Sequence, residues 1–424
     1  MLNPGSVLPR GEVDIAVIGA GAAGLAAARR LADAKFNFVV LEARSRVGGR
    51  AWTASHGGYL LDLGCGWLHS GDRNPWTRIA EAAGFTIDHT PAPWTREDSD
   101  LSFAEGEEED FDAASGRFYE RIAEASAKGL DISAASFLEP NGRWNPLLNA
   151  ISTYANGAEL ELVSVSDSAR YQDTGVNWRV VEGYGTAVAA HGAGLPVVLD
   201  CAVARIDHGG QRVRIETACG DVSARAIVVT VPTTLIASEA IRFTPALPDK
   251  VEAAAGLPLG LADKIVLALD RPEAVAAETR LFGRTDRTGI GAYHLRPFGR
   301  PLIEGFFGGR LARELEQEGE GALARFAIDE LAAQLGSDVR PRLKPLVATA
   351  WSADRYARGS YSHALPGNAG ARSILARPVD GRLFFAGEAC SPESFSTAHG
   401  AYQTGIAAAE EAIAALAPRS LRAG

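Results

Sequence analysis

The chain has 424 residues, 46% hydrophobic and 22% charged, and a formal net charge of −10 at pH 7. This is the balance of an ordinary globular protein, too long for one core, so two domains are expected. The acidic charge argues against a nucleic-acid partner, which needs a basic face, and is compatible with cationic substrates. Cys65, Cys201, Cys219 and Cys390 form no C-x-x-C or Cys/His cluster. Neither a disulfide framework nor a metal site is therefore expected. Residues 1–12 hold no apolar signal region or twin arginine, no window approaches 18 consecutive apolar residues, and no hydrophobic tail ends the chain. The expectation is a cytoplasmic protein without a membrane partner.

In chain order, Asp14–Ile18 is a short apolar run closed by glycine and reads as a buried strand. Gly19, Gly21 and Gly24 follow as G-x-G-x-x-G, ahead of the helix formers Leu25–Leu31. The first glycine permits a tight turn, the second lets the backbone approach a pyrophosphate, and the third lets the helix pack on the strand. The helix N-terminus then attracts the anion. Phe38–Leu41 reads as a second strand ending in Glu42, an acid placed to bind ribose hydroxyls. Strand, helix, strand and acid at this spacing indicate a dinucleotide with an unphosphorylated ribose. Arg44-Ser45-Arg46-Val47-Gly48-Gly49-Arg50 adds a second glycine pair flanked by arginines. That extension resembles the FAD signature of the flavin amine oxidase superfamily rather than that of an NAD dehydrogenase, so FAD is the expected cofactor.

Tyr59–Leu63 reads as a strand entering the loop Gly64–His69, and Asn74-Pro75-Trp76 starts a helix over Thr77–Ala83. The acidic stretch from Pro91 to Asp112 reads as a solvated loop and helix start rather than a binding element. Helical patterns continue to Lys128 and across Trp144–Gly157. Near Val180 the pattern returns to strands: Glu182–Gly185 is a turn, and Val197–Leu199, Ala202–Ile206, Val213–Thr217 and Ala226–Val231 are short β-branched runs. Val203 either offers backbone groups to an adenine edge or packs as core. Ile241–Pro248 leaves as an extended linker, and Lys264–Leu269 opens a new strand. Leu383–Ala386 is a last buried strand stopped by Gly387-Glu388, and Gly400–Leu416 is an alanine-rich helix.

These anchors, in this order, make the chain resemble flavin-containing amine oxidases, nearest to the polyamine and spermine oxidase branch. The resemblance rests on the first motif with its Gly-Gly-Arg extension, Gly64–His69 with Asn74-Pro75, Pro258–Lys264, Trp351–Tyr361 and Phe385–Gly405. Residues 90–180 match only loosely. It implies that Lys264 bonds a water beside flavin N5, where an ammonium stabilises negative charge on reduced flavin and oxygen. It implies that Trp351 and Tyr361 wall the amine site, since aromatic faces suit an amine. His69, in Gly-Trp-Leu-His-Ser, then faces a substrate tunnel and accepts a hydrogen bond or proton from the amine. Ser360 stands where monoamine oxidases carry the cysteine that attaches their flavin, which implies non-covalent FAD. Thr397 replaces a second cage tyrosine and argues against a two-ring cage. The implied catalytic set is Lys264, His69, Tyr361, Trp351 and Thr397. The implied cofactor contacts are Gly19, Gly21, Ala23, Gly24, Glu42, Ala43, Arg44, Gly49, Arg50, Gly64, Gly66, Trp67, Val203, Gly387, Glu388, Thr397 and Ala398.

The expected fold class is α/β with an α+β insert. A Rossmann-like FAD-binding domain is assembled from three chain segments, residues 1–80, 196–250 and 378–424. The substrate-binding domain, mainly antiparallel sheet and helices, takes residues 81–195 and 251–377. The expected reaction oxidises an amine to an imine by hydride transfer to flavin N5. Water then gives aldehyde and amine, and oxygen gives hydrogen peroxide. A polyamine is the favoured substrate, with Glu159, Glu161 and Glu182 as candidates for holding distal ammonium groups. A flavin oxidase of a monoamine or amino acid is the alternative, and a non-catalytic flavin-binding redox sensor or scaffold is the alternative of another class. Histone-demethylase relatives need a helical tower and an extra N-terminal domain, for which we expect no room. Amine and oxygen are the expected partners, in a monomer or homodimer.

Overall fold

The structure is a computed structural model and describes residue 8 and residues 11–96 and 99–417. Strand β1 (Glu12–Ile18), helix α1 (Ala22–Asp33) and strand β2 (Phe38–Leu41) follow the predicted order. Both strands are fully apolar over the paired stretch, as a strand covered on two faces must be. β1 and β2 run parallel and form the centre of an eight-stranded sheet. Beyond β1 the sheet continues through Gly220–Val229, Val213–Thr217, Val203–Asp207 and Arg242–Thr244; beyond β2 it ends at Val197–Val198. Leu383–Phe385 adds a further parallel strand beside Gly220–Val229. One polypeptide therefore returns twice to finish the sheet that its first residues begin.

Two helices cover one face of this sheet. α1 and the C-terminal helix Ala398–Leu416 are rich in alanine and glycine, and that composition sets their separation. A Cβ on Gly405 would lie 2.2 Å from the Ala23 carbonyl oxygen, so the helices touch backbone to backbone there. Overpacking of this kind costs roughly 1–3 kcal/mol. The opposite face buries Val13, Ala16, Ile18, Val39 and Leu41 with Ile227, Val229 and Phe385.

The inserted segments build a second layer. Thr279–Phe282, Ala292–Leu295, Leu302–Gly308, Ala262–Leu269 and Leu343–Ala348 make a five-stranded, wholly antiparallel sheet in that spatial order. Helices Gly309–Glu318 and Ala322–Leu335 pack on one face, and Glu107–Ala127 and Asn145–Ala155 form a neighbouring helical core. The parallel-rich sheet with a separate antiparallel sheet gives the α/β architecture expected.

Three local expectations are corrected. Glu182–Gly185 was expected to be a turn, yet its second half opens the helix Tyr184–His191. Two of its first-turn N–H groups, Tyr184 and Gly185, donate to the Asp62 carboxylate at 2.9 and 3.2 Å, a cap that no local pattern announces. Ile241–Pro248 is not a free linker, because Arg242–Thr244 pairs in parallel with Val203–Asp207. The acidic stretch is not wholly solvated: Asp100 is buried against Arg280, while Glu107, Glu108, Glu109 and Asp110 start a helix whose dipole favours them. Glu97 and Asp98 of that stretch lie outside the described residues.

Candidate active site

The carboxyl ends of the parallel strands all open onto one cavity of about 1640 Å³. This is where an open parallel sheet binds ligands, since its loops and helix N-termini converge there. After β1 it is lined by Gly19 and Gly21, after β2 by Glu42, Ala43 and Arg44, and after the later strands by Thr230, Gly387 and Glu388. The antiparallel sheet supplies Lys264, Tyr293, His294 and Phe306 to the other side. The volume exceeds a drug-sized pocket and suits a dinucleotide plus a small substrate.

The three motif glycines do different things. Gly19 has φ 102°, and a Cβ there would meet Thr230 Oγ1 at 2.7 Å. A Cβ on Gly24 would sit 1.9 Å from the Gly19 carbonyl oxygen. Gly24 therefore closes the turn against the helix, the packing role expected of the third glycine, and it is not among the residues that line the cavity. Gly21 has φ −80°, a Cβ on it would meet nothing nearer than 3.9 Å, and it does line the cavity. The protein itself does not require a missing side chain at Gly21, which leaves bare backbone facing the cavity. Gly49, at φ 58°, presses against Gly21, and Gly48 N–H donates to Ala20 O at 2.8 Å, so the two glycine turns lock together.

Glu42 is 3% exposed, and its two oxygens accept from Ala20 N at 2.7 Å and Arg44 N at 2.9 Å. Those bonds fix its carboxylate at the cavity wall. Arg44 is paired with Asp354 at 2.6 Å. Arg50 Nη1 donates to Ser360 O at 2.7 Å and Glu388 Oε1 at 2.9 Å, which leaves Nε and Nη2 as donors toward an anion. Glu388 is fully enclosed but also accepts from Ser362 Oγ at 2.6 Å and Ser396 N at 3.0 Å. Burial pushes its pKa up, yet Arg50, Ser362 and Arg372 together hold it below the ordinary value. Arg372 also forms a 2.7 Å pair with buried Asp167, so a continuous charged chain ties the inserted helix Val165–Arg170 to the sheet. Removing one partner of such a pair costs about 3–5 kcal/mol.

At the other end, Lys264 Nζ donates to Asp62 O at 2.9 Å and lies 5.3 Å from the centre of the Phe306 ring. Gly66 keeps that ammonium accessible: a Cβ there would come within 3.4 Å of Nζ. Gly64 is different, because its Cβ would strike Arg50 O at 1.7 Å. Trp351 is 6% exposed, donates from Nε1 to Leu63 O at 3.1 Å and meets Trp52 edge to face. The Tyr361 hydroxyl donates to Tyr154 O. Ser360 Oγ accepts from Ala262 N at 2.9 Å and donates to Ala262 O at 2.8 Å. Thr397 caps the C-terminal helix, accepting from Gly400 N at 3.0 Å and donating to Ser394 O at 2.6 Å, and Ala398 O accepts from Trp76 Nε1 at 3.0 Å.

His69 Nδ1 faces Asn177 Oδ1 at 2.6 Å, and Asn177 Nδ2 donates to Gly175 O, so Nδ1 carries the proton and Nε2 is the acceptor nitrogen. Trp67 stands against Trp94 and His294 in the cavity wall, with the Arg179 guanidinium 4.8 Å from its ring centre. Val203 and Ala23 also border the cavity. Every expected site residue except Gly24 therefore lines this one space.

Sequence reading missed Asp173, Asn177, Tyr154 and Tyr171, all on the wall, and Asp263, whose side chain is buried behind it. Only Asp263 carried a signal, an acid at the start of a strand whose alternate residues Ile265, Leu267 and Leu269 are apolar. None of Glu159, Glu161 and Glu182 lines the cavity; Glu159 accepts from Arg310 N and Glu182 from Thr86 instead. Among the described residues no cluster of His, Cys, Asp and Glu could hold a metal, and no helix is long and apolar enough to cross a membrane.

The comparisons agree with this geometry. The sequence matches the family described as flavin containing amine oxidoreductase over residues 22–117 and 92–413. It is 31% identical to polyamine oxidase 3 of Oryza sativa subsp. japonica over 93% of this chain and 88% of that protein. It is 32% identical to polyamine oxidase 2 of Arabidopsis thaliana, covering 94% and 87%. A histone demethylase homologue from Arabidopsis thaliana, lysine-specific histone demethylase 1 homolog 2, is 29% identical, but the match spans only 58% of it. Among solved structures, putrescine oxidase bound to putrescine superposes with a TM-score of 0.79 at 19% identity, covering 96% and 100% of the two chains. Cyclohexylamine oxidase from Brevibacterium oxydans IH-35A gives the same TM-score at 21% identity and the same coverage. This chain belongs to the flavin containing amine oxidoreductase family: it is an amine oxidoreductase with a flavin cofactor.

Proposed function

We propose that the protein is an FAD-dependent amine oxidase for substrates with more than one amine, using oxygen and releasing hydrogen peroxide. The residues present fit FAD. Gly21 leaves a bare backbone at the cavity, Glu42 presents a fixed carboxylate for ribose hydroxyls, and Arg50 keeps free donors for a diphosphate. The domain formed by residues 1–80, 196–250 and 378–424 would hold it, with residues 81–195 and 251–377 completing the substrate side. The chemistry a bound flavin supplies is acceptance of hydride from the amine α-carbon, which leaves an imine for water to hydrolyse.

The chain's own residues prepare the amine. A free alkylamine has a pKa near about 10.4 and arrives protonated. The aromatic walls Trp351, Tyr361, Tyr154 and Phe306 exclude water and so disfavour the ammonium form. His69 Nε2 is the acceptor for the proton that must leave. Lys264 supplies a positive charge to the reacting end, held there by the Asp62 carbonyl.

Attachment is non-covalent in this reading. Ser360 has no thiol and spends its hydroxyl on Ala262. Cys65 lines the cavity, but burial pushes its pKa up to about 12, so it stays a neutral thiol. Acid precipitation should leave the flavin in solution, and flavin retained in the pellet would end this claim.

The observation that carries the substrate reading is Asp173, an exposed carboxylate lining the cavity beside the His69–Asn177 pair. Its Oδ1 is used by Ser70 Oγ at 3.1 Å and Gly175 N at 2.9 Å, and Oδ2 is left for a distal ammonium group. A peroxide assay of the purified yellow protein against spermine, spermidine, putrescine, benzylamine and amino acids tests it. The larger kcat/KM is expected for the polyamines; a preference for a short aromatic monoamine would overturn the substrate class.

A further inference from the structure

One strand residue before Lys264 lies a carboxylate that the amine chemistry does not use. Asp263 is 0% exposed, on the strand face that also buries Ile265 and Leu267. Its Oδ1 accepts from the Thr349 hydroxyl at 2.8 Å and from Trp351 N–H at 3.0 Å. Thr349 Oγ1 in turn accepts from Lys264 N–H at 2.8 Å. A single oxygen thus fixes the backbones of both Lys264 and Trp351. Asp263 Oδ2 is different: it is sealed from solvent and no donor reaches it.

Another acid, Glu316 of helix Gly309–Glu318, interacts with Asp263, the two meeting where they hold Ser352 and Trp351. Glu316 already accepts from Ser352 N at 3.0 Å and from the Ser352 hydroxyl. Ser352 directly follows Trp351, so the two acids grip adjacent residues of one segment. Two ionised carboxylates in contact inside a protein repel strongly, and an unpaired buried acceptor costs further free energy. One proton between them removes both penalties, because it turns the orphan oxygen into a donor.

We propose that Asp263 works as a neutral carboxylic acid that shares its proton with Glu316, and that this pair positions the Lys264 and Trp351 wall of the cavity. Asp263 is then a positioning residue: it touches neither cofactor nor substrate in this scheme and acts through the two residues it holds. Its consequence for catalysis rests on the amine-oxidase reading above; its protonation does not. Burial first, then the Glu316 hydrogen bond and charge, push the Asp263 pKa well above the usual carboxylate range. The other ionisable groups facing it are the Tyr361 phenol, itself pushed up by burial, and Lys264, whose ammonium turns away to the Asp62 carbonyl.

The test compares Asp263→Asn, which mimics the neutral acid, with Asp263→Ala, which removes the acceptor. Asp263→Asn should keep its flavin content and lie within about twofold of the parent in kcat at pH 7. Asp263→Ala should lose on the order of 10–10²-fold in kcat/KM, as misplacement of a site wall does. Melting temperature gives a readout independent of activity. The folded acid holds its proton above the unfolded value, so stability falls as pH rises from the ordinary carboxylate range toward about 8. Raising the pH from 6 to 8 should therefore lower the melting temperature of the parent by roughly 2 °C more than that of Asp263→Asn. Glu316→Gln should flatten the same slope. An Asn variant as damaged as the Ala variant, or one with the parent's pH slope, would overturn the shared proton. An Ala variant with parental kinetics would overturn the positioning role.

Discussion

At the end of the cavity proposed to hold the nucleotide the wall is largely backbone, from Gly19, Gly21, Gly49 and Gly387, with one carboxylate that is itself held by two N–H groups. At the proposed substrate end the wall is made of side chains, brought from the strands at Lys264 and His69, the loop at Asp173 and the segment at Trp351. A backbone site is specified by dihedral angles and close approach, so a short contiguous stretch is enough to build it. A side-chain site is specified by what lies behind each residue, and that support comes from elsewhere in the chain. The first end should therefore fail by steric intrusion, and the second by loss of charge or of a supporting hydrogen bond.

The sharpest break in that comparison separates two glycines of the same motif. Gly24→Ala places a methyl group 1.9 Å from a backbone oxygen and should destabilise the whole protein by at least about 1–3 kcal/mol, read by melting temperature. Gly21→Val should melt near the parent temperature yet hold flavin at least about tenfold more weakly, a difference of about 1.4 kcal/mol, read by flavin fluorescence on dilution. If both variants fail alike, the division between turn geometry and ligand clearance is wrong.

Lys264→Met tests the other end. It should leave flavin binding unchanged and slow reoxidation of the reduced protein by oxygen on the order of 10²-fold, since one preorganised charge is lost. Unchanged stopped-flow reoxidation would place the reacting end elsewhere in the cavity. A smaller effect is expected at the exposed rim. Asp173→Asn should raise KM for spermidine about two- to fivefold with little change in kcat, the range of an exposed ion pair. Equal KM changes for spermidine and benzylamine would remove Asp173 as a distal ammonium site.

What was legible in the sequence follows the same division. β1, α1 and β2 were readable because an apolar run, a glycine turn and a helix-forming run are local signals. The family resemblance then pointed to segments that the fold brings to one cavity. Gly24 packs the helix as the third glycine was expected to, but it is absent from the cavity wall, because spacing alone cannot say whether a glycine spares a ligand or another carbonyl. The helix Tyr184–His191 was hidden by two glycines and by a cap from Asp62, a contact that only the tertiary fold creates. Glu159, Glu161 and Glu182 were plausible ammonium ligands by charge, while Asp173 was not singled out, because cavity walls are set by topology rather than by acidity.

The measurement that bears most directly on the central claim is anaerobic mixing of the yellow protein with spermidine and, separately, with benzylamine at several ionic strengths. Flavin absorbance should bleach with both, faster with spermidine at low concentration, and the spermidine dependence should weaken as salt screens the distal ammonium over about 8–10 Å. Absorbance that stays constant with every amine would contradict amine oxidation itself, and salt-independent preference for benzylamine would contradict the polyamine substrate.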